Sequence, residues 1–316
     1  MYKGKRVGVL LGGPSSEREV SLRSGQAVAA ALRGRGYDVV ELDLDAETPA
    51  KLRAAGVEVV YNALHGKWGE DGCVQGLLEL LRLPYTGSGV TASAAGMDKV
   101  ISKKLFESIG LPVPPYSLVD RVEYESTPPQ TPPYGFPVVV KPATEGSSVG
   151  VSIASDPEEF AAALAAAFQW DDRIILEKYI AGRELSVAVL GAEALGLAEI
   201  RPKKLPDEKI SFYDYHHKYT KGMTEYITHP DNLDDTVVTR VQTIAVAANE
   251  AIGGEGIVRV DFLLDAQNRP WLLEVNTLPG MTELSLVPMI ARDWRGLSMG
   301  ELVEMVLATA RLKVGS

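Results

Sequence analysis

The chain has 316 residues, 46% of them hydrophobic, with a mean hydropathy near zero. That length exceeds what one hydrophobic core usually supports and predicts two or three domains. The formal net charge of -10, without a long basic tract, argues against nucleic acid as a partner, and no run is apolar for long enough to span a bilayer.

The opening Met1 to Arg6 leads into a strand-like run without a signal-peptide core, so the expected location is the cytoplasm. Arg6 to Leu11 reads as a buried parallel strand, followed by the Gly12-Gly13-Pro14 turn and a helix from about Val20 to Arg33. Strands at Tyr37 to Leu42 and Gly56 to Ala63, with a short helix at Pro49 to Ala55 between them, complete the βαβ rhythm of a doubly wound parallel sheet. Ligands gather at the carboxyl ends of such strands, where Gly12, Gly13 and the loop Leu64 to Gly72 fall. Cys73 is alone, which excludes an intrachain disulfide and a cysteine-rich zinc site, and its small and apolar neighbours predict a packed core thiol.

A helix from about Thr91 to Ile109 precedes the stiff linker Leu111-Pro112-Val113-Pro114-Pro115. After a second proline cluster at 127–133, strand Val138 to Lys141 meets Glu145-Gly146-Ser147-Ser148-Val149-Gly150. Further on come a helix at Pro157 to Phe168 and strands at Arg173 to Tyr179, Glu184 to Leu190 and Gly196 to Ile200. A polar, aromatic segment, Lys203 to His229, precedes helix Asp235 to Ala251, and a helix at Ser298 to Leu312 closes the chain.

Three segments suggest chemistry. In Glu145 to Gly150 the glycines and serines leave backbone amides open to a phosphate, and Lys141 just before them favours an anion site over an ordinary turn. Gly87-Ser88-Gly89 matches a relaxed dinucleotide pattern but lies late in the βαβ series, and is expected to be a tight turn packing strand to helix. The third segment is Arg259 to Leu263, a turn at Asp265 to Pro270, and Trp271 to Asn276, which reads as a hairpin. Alternation puts Val260, Phe262, Leu273 and Val275 into a core and gathers Asp261, Glu274 and Asn276 with Arg259 on the other face. Three oxygen donors suit a hard cation such as Mg2+, although an edge hairpin with a wet polar face has the same pattern.

Together these residues resemble the ATP-grasp carboxylate-amine ligases, through Lys141-Pro142, Gly146 to Gly150, Glu177-Lys178-Tyr179, Gly182-Arg183-Glu184, Arg259-Val260-Asp261 and Glu274-Val275-Asn276-Thr277. Within them the chain resembles the D-alanine:D-alanine ligases, through Leu11 to Ser21, Ala63-Leu64-His65-Gly66, Gly69 to Gly72, Tyr85 to Gly89, Met97-Asp98-Lys99, and Pro279 to Thr282 with Ser285-Leu286. The likeness runs nearly end to end.

The resemblance implies an α/β fold of three domains. These are an N-terminal doubly wound domain at 1–103, a central subdomain at 104–190 with a glycine-rich lid, and a C-terminal subdomain at 191–316 with the Mg2+ site and a closing loop at about 203–229. It assigns ATP to Lys99, Lys141, Ser148, Glu177, Glu184, Lys218 and Phe262, and two Mg2+ ions, or Mn2+, to Asp261, Glu274 and Asn276. K+ joins the expected cofactors. Substrate contacts fall to Glu17, His65, Tyr213, Arg259, Gly280, Ser285 and Leu286, and catalysis to Glu17, His65, Ser147, Lys218, Tyr219, Arg259 and Gly280.

The implied reaction joins two D-alanines through an acyl phosphate for peptidoglycan synthesis, in a homodimer. Tyr219 is expected to favour the amine of D-alanine as second substrate. Competing readings are a ligase forming D-Ala-D-lactate or D-Ala-D-Ser, and a catalytically silent nucleotide sensor on the same fold.

Overall fold

A computed structural model describes residues 2–146, 148–203 and 222–314. The N-terminal part contains β1 (Arg6–Leu11), α1 (Arg18–Gly34), β2 (Asp38–Asp43), α2 (Thr48–Ala54), β3 (Val59–Asn62) and α3 (Cys73–Leu80). Its strands form a parallel sheet in the order β2-β1-β3. β1 is apolar because helices cover it: Val7, Val9 and Leu10 have no exposed surface. Each such side chain contributes about 1.5–3 kcal/mol by leaving water.

The helix expected over 91–109 is two helices, α4 (Val90–Met97) and α5 (Lys99–Ser108). Asp98 separates them with an extended ψ of 104°, and its carboxylate accepts from the N–H groups of Val100 and Ile101. An aspartate in this role satisfies amides that a new helix leaves unpaired. The break starts α5 at Lys99 and turns that lysine toward the central cavity.

The central part contains β4 (Tyr116–Asp120), α6 (Arg121–Ser126), β5 (Val138–Pro142), β6 (Ser152–Ala154), α7 (Pro157–Ala167) and β7 (Arg173–Lys178). Its antiparallel sheet runs β4-β7-β5-β6. The remaining elements are β8 (Gly182–Leu190), β9 (Glu193–Pro202), β10 (Thr224–Ile227), α8 (Asp235–Ala251), β11 (Ile257–Asp265), β12 (Pro270–Asn276), α9 (Leu286–Arg295) and α10 (Met299–Ala308). The five strands pair antiparallel in the order β10-β9-β8-β11-β12. Hydrogen bonds join β8 to β9, so the expected division at 190/191 cuts one sheet, and the change of sheet falls between β7 and β8 instead.

The first and last parts share one core. Val7, Val28 and Tyr61 pack in the same cluster as Ile290, Val303 and Val306. Arg311 then pairs with Tyr85 beyond α10, so the last helix ends earlier than expected. Cys73 is exposed at the start of α3 rather than packed in a core. Its apolar neighbours Val74 and Leu78 turn inward on the helix, and position 73 faces out. Gly87 meets Gly256 so closely that a Cβ on Gly256 would lie 2.9 Å from the Gly87 Cα, as a packing turn requires. No described helix is long and apolar enough to cross a membrane.

Candidate active site

β11 and β12 pair with Arg259 opposite Asn276 and Asp261 opposite Glu274. The register then slips, so that Phe262 faces Leu272 and Leu273 is the extra residue of a β-bulge. Strict alternation fails at that point. Leu272 is fully buried in the core while Leu273 joins Glu274 on the cavity side, contrary to the expected inward Leu273. Phe262, expected at the nucleotide, is fully buried on the opposite face among Val260, Leu264 and Leu272. Leu263, one residue on, lines the cavity in its place.

A cavity of about 400 Å³ lies between the central and C-terminal sheets. Val139 and Ile153 supply apolar lining from the central sheet and Leu263 and Leu273 from the C-terminal one, with Lys99, Lys141 and Glu184 among the charged groups that line it. Lys141 reaches the buried Glu177 carboxylate at 2.9 Å, and Lys103 reaches its second oxygen at 2.5 Å. Burial pushes the Glu177 carboxyl up, but the two ammonium groups overcome this and hold it below its ordinary value. Glu177 is therefore committed to two lysines. Lys103 carried no motif of its own; its four-residue spacing from Lys99 on one helix is the signal that points it the same way. Beside the cavity, the buried Glu199 receives Arg183 at 2.7 Å and Arg201 at 3.2 Å.

A second cavity, of about 620 Å³, brings together Glu17, His65, Arg259, Gly280, Ser285 and Leu286. It shares Lys99, Arg259, Glu274 and Leu286 with the first. Lys99 is 3.5 Å from Glu274 and donates to the Glu145 carbonyl at 2.6 Å. Arg259 grips Asp261 with three N–H contacts of 2.7 to 3.0 Å and stands 3.9 Å from Glu274. Ser186 also donates to Asp261, at 2.6 Å.

Glu17 is approached from two sides. A Cβ on Gly66 would lie 2.9 Å from its Oε2, and one on Gly146 would lie 3.1 Å away. Gly66 also has φ +71°, so glycine serves both the turn and the approach. His65 is buried, with Nε2 3.1 Å from Ser24 Oγ and Nδ1 3.5 Å from Glu70. Ser24 Oγ also accepts from the Met281 N–H at 3.2 Å, tying α1, the His65 loop and the Gly280 segment together. Ser24 lies three residues past the matched stretch Leu11 to Ser21, and no motif marks it.

Ser285 precedes α9 without capping it, because its hydroxyl is engaged with Thr282 at 2.8 Å. The first-turn amides of that helix, beginning at Leu286, have no partner within the helix and suit an anion. Ser147, Tyr213, Lys218 and Tyr219 lie outside the described residues. Ser148 and Glu184 line the first cavity.

Among the described residues no group of three His, Cys, Asp or Glu side chains forms a metal site by itself. The candidate set therefore depends on the amide of Asn276, whose Oδ1 accepts from the Leu278 N–H at 2.9 Å. An amide oxygen has a second lone pair, and an all-oxygen set of two carboxylates and one amide fits Mg2+ or Mn2+.

A model of the D-ala D-ala ligase N-terminus matches residues 45–88, and one of the D-ala D-ala ligase C-terminus matches residues 105–308. The chain is 50% identical to a D-alanine–D-alanine ligase of Anaeromyxobacter sp. (strain Fw109-5) over 99% of each chain. It is 47% identical to one of Geobacter sulfurreducens, over 99% of this chain and 96% of that one. Among solved structures, D-alanine–D-alanine ligase from Bacillus anthracis superposes with a TM-score of 0.83 at 35% identity, covering 96% of this chain and 97% of that one. The VanG D-Ala:D-Ser ligase from Enterococcus faecalis gives 0.79 at 28% identity, covering 96% and 99%. With this coverage and this geometry, the chain belongs to the D-alanine–D-alanine ligase family.

Proposed function

We infer that this protein joins two D-alanines into D-alanyl-D-alanine at the expense of ATP, releasing ADP and phosphate, as a step of peptidoglycan precursor synthesis. The observation that carries the reading is the junction of the two cavities at Lys99, Arg259, Glu274 and Leu286, where a nucleotide phosphate and a substrate carboxylate can meet. The related Bacillus anthracis ligase has been solved with ATP. In this chain the adenine would lie between Ile153 and Leu273, and the phosphates beside Lys141 and Lys99. Ser148 and Glu184 line the same cavity.

Glu17 would hold the ammonium of the first D-alanine, leaving its carboxylate to attack the γ-phosphoryl group. His65, fixed by Ser24 and Glu70, shapes the same pocket. Asp261, Glu274 and Asn276 would hold two Mg2+ ions, or Mn2+, which supply charge neutralisation during phosphoryl transfer. The second D-alanine would rest its carboxylate on Ser285 and the Leu286 amide, with its amine attacking the acyl phosphate. Arg259 and the Gly280 N–H would then face the developing oxyanion. Ser147, Tyr213, Lys218 and Tyr219 retain in this reading the substrate, lid and phosphate roles that the family likeness implies.

The reading includes a cytoplasmic location, where ATP is available, and a homodimer through the N-terminal part, on which Trp68 and Leu80 are exposed. Incubation with ATP, Mg2+ and D-alanine should yield dipeptide and ADP in equal amounts. ADP release that does not depend on D-alanine, or preferred formation of D-Ala-D-lactate or D-Ala-D-Ser, would reject it.

A further inference from the structure

Two loops from different sheets meet above Glu17. One follows β3 and contains Gly66 and Lys67; the other follows β5 and contains Glu145 and Gly146. Lys67 Nζ is 2.6 Å from Glu145 Oε1. The same Glu145 accepts Lys99 at its backbone carbonyl, again at 2.6 Å. The glycine beside each charged residue is the one that lies against Glu17. The ion pair thus joins the two loops one residue away from their contacts with the carboxylate that receives substrate.

We propose that Lys67 and Glu145 form a charged latch that seats the glycine-rich loop on the Glu17 pocket, so that both act as positioning residues for the first D-alanine. This rests on the function proposed above. Glu145 also lines the first cavity, and neither side chain is among those assigned above to the reacting groups. Lys67 is 55% exposed and Glu145 11%, so one end of the pair is exchangeable with solvent while the other is held in the fold. Such a pair contributes little to global stability but biases where a glycine-rich loop rests. With Lys67 removed, Glu145 keeps its backbone contact to Lys99 and loses the tie to the His65 loop. The pocket then opens along the line between Gly66 and Gly146, which loosens the ammonium site and admits water to the acyl phosphate. Water attack there breaks the same bond to phosphate that the second amine would break, giving free D-alanine and phosphate in place of dipeptide.

The test uses the full-length protein with Lys67→Met, Glu145→Gln and the exchanged pair Lys67→Glu/Glu145→Lys. Each single change is expected to raise KM for D-alanine about fivefold and to release more phosphate than dipeptide, with the thermal midpoint nearly unchanged, and for Lys67→Met with KM for ATP nearly unchanged too. The exchanged pair should return both the KM and the coupling ratio toward wild type, which a residue acting only in folding would not do. Single variants that match wild type in KM and coupling overturn the latch while leaving the proposed function intact. An exchanged pair no better than the worse single variant overturns it too. A wild-type protein that makes no dipeptide overturns the proposed function, and the latch with it.

Discussion

Lys103, which has no exposed surface, places its ammonium 2.5 Å from the Glu177 carboxylate. The two touch as an ion pair without hydrogen-bond alignment. Burial pushes Lys103 down to about 8, Glu177 opposes that, and Lys141 adds to it. Each lysine takes one oxygen of the carboxylate, and Lys141 lines the cavity while it remains on Glu177.

Lys103→Met is expected to cost about 3 kcal/mol of stability, as for a buried charge pair broken from one side. Glu177 would then draw Lys141 inward, raising KM for ATP more than KM for D-alanine. The double change Lys103→Met/Glu177→Gln should recover part of the stability but not the ATP affinity. Denaturant titrations and initial-rate kinetics on the three proteins measure both; equal stability of wild type and Lys103→Met would refute the pairing.

Glu274→Gln keeps the shape of a side chain that is one-third exposed, and removes a charge facing Lys99 and Arg259. Turnover should fall by about a hundredfold or more, with the thermal midpoint unchanged. Arg259→Lys should fall comparably and mainly in kcat, because an ammonium cannot reproduce a planar donor array. Dipeptide formation within tenfold of wild type at saturating Mg2+ would remove either residue from the chemistry.

The bulge at Leu273 separates two leucines that are adjacent in sequence. Leu272→Ala should destabilise the fold by about 2–5 kcal/mol with little effect on KM for ATP. Leu273→Ala should do the reverse, raising KM for ATP while leaving the denaturation midpoint nearly in place. Finding the two effects exchanged would mean that the strand alternates without a bulge.

Asp43 receives Arg18 at 2.5 and 2.8 Å and the Gly13 N–H at 3.0 Å, so it braces the turn that leads to Glu17. Arg18 holds the Asp43 carboxyl down at about 2, against desolvation and with help from the Gly13 amide. The folded value lies below the unfolded one, so the stabilisation is present above about pH 4 and is lost as pH falls toward 2. Both side chains are about two-fifths exposed, which keeps the effect modest. The difference in thermal midpoint between wild type and Asp43→Asn should shrink across that window. A difference independent of pH would mean that Asp43 acts through shape alone.

The sequence by itself determined the parallel N-terminal sheet, because β1 is apolar on both faces and glycines mark its end. It also determined the partnership of Asp261 with Glu274, since the two strands and their turn are local and their polar positions stand out. Motif order carried Lys99, Lys141, Glu17 and Ser285 to the cavities in the same way. Tertiary structure alone decided which neighbour enters the core at Leu272 and Leu273, because a one-residue bulge is invisible to a period-two pattern. Exposure at Cys73 was likewise decided by the facing of a helix that local composition does not reveal. The same holds for Lys103: a buried lysine is tolerable only beside a carboxylate supplied from another sheet, and no stretch of chain around residue 103 contains that carboxylate.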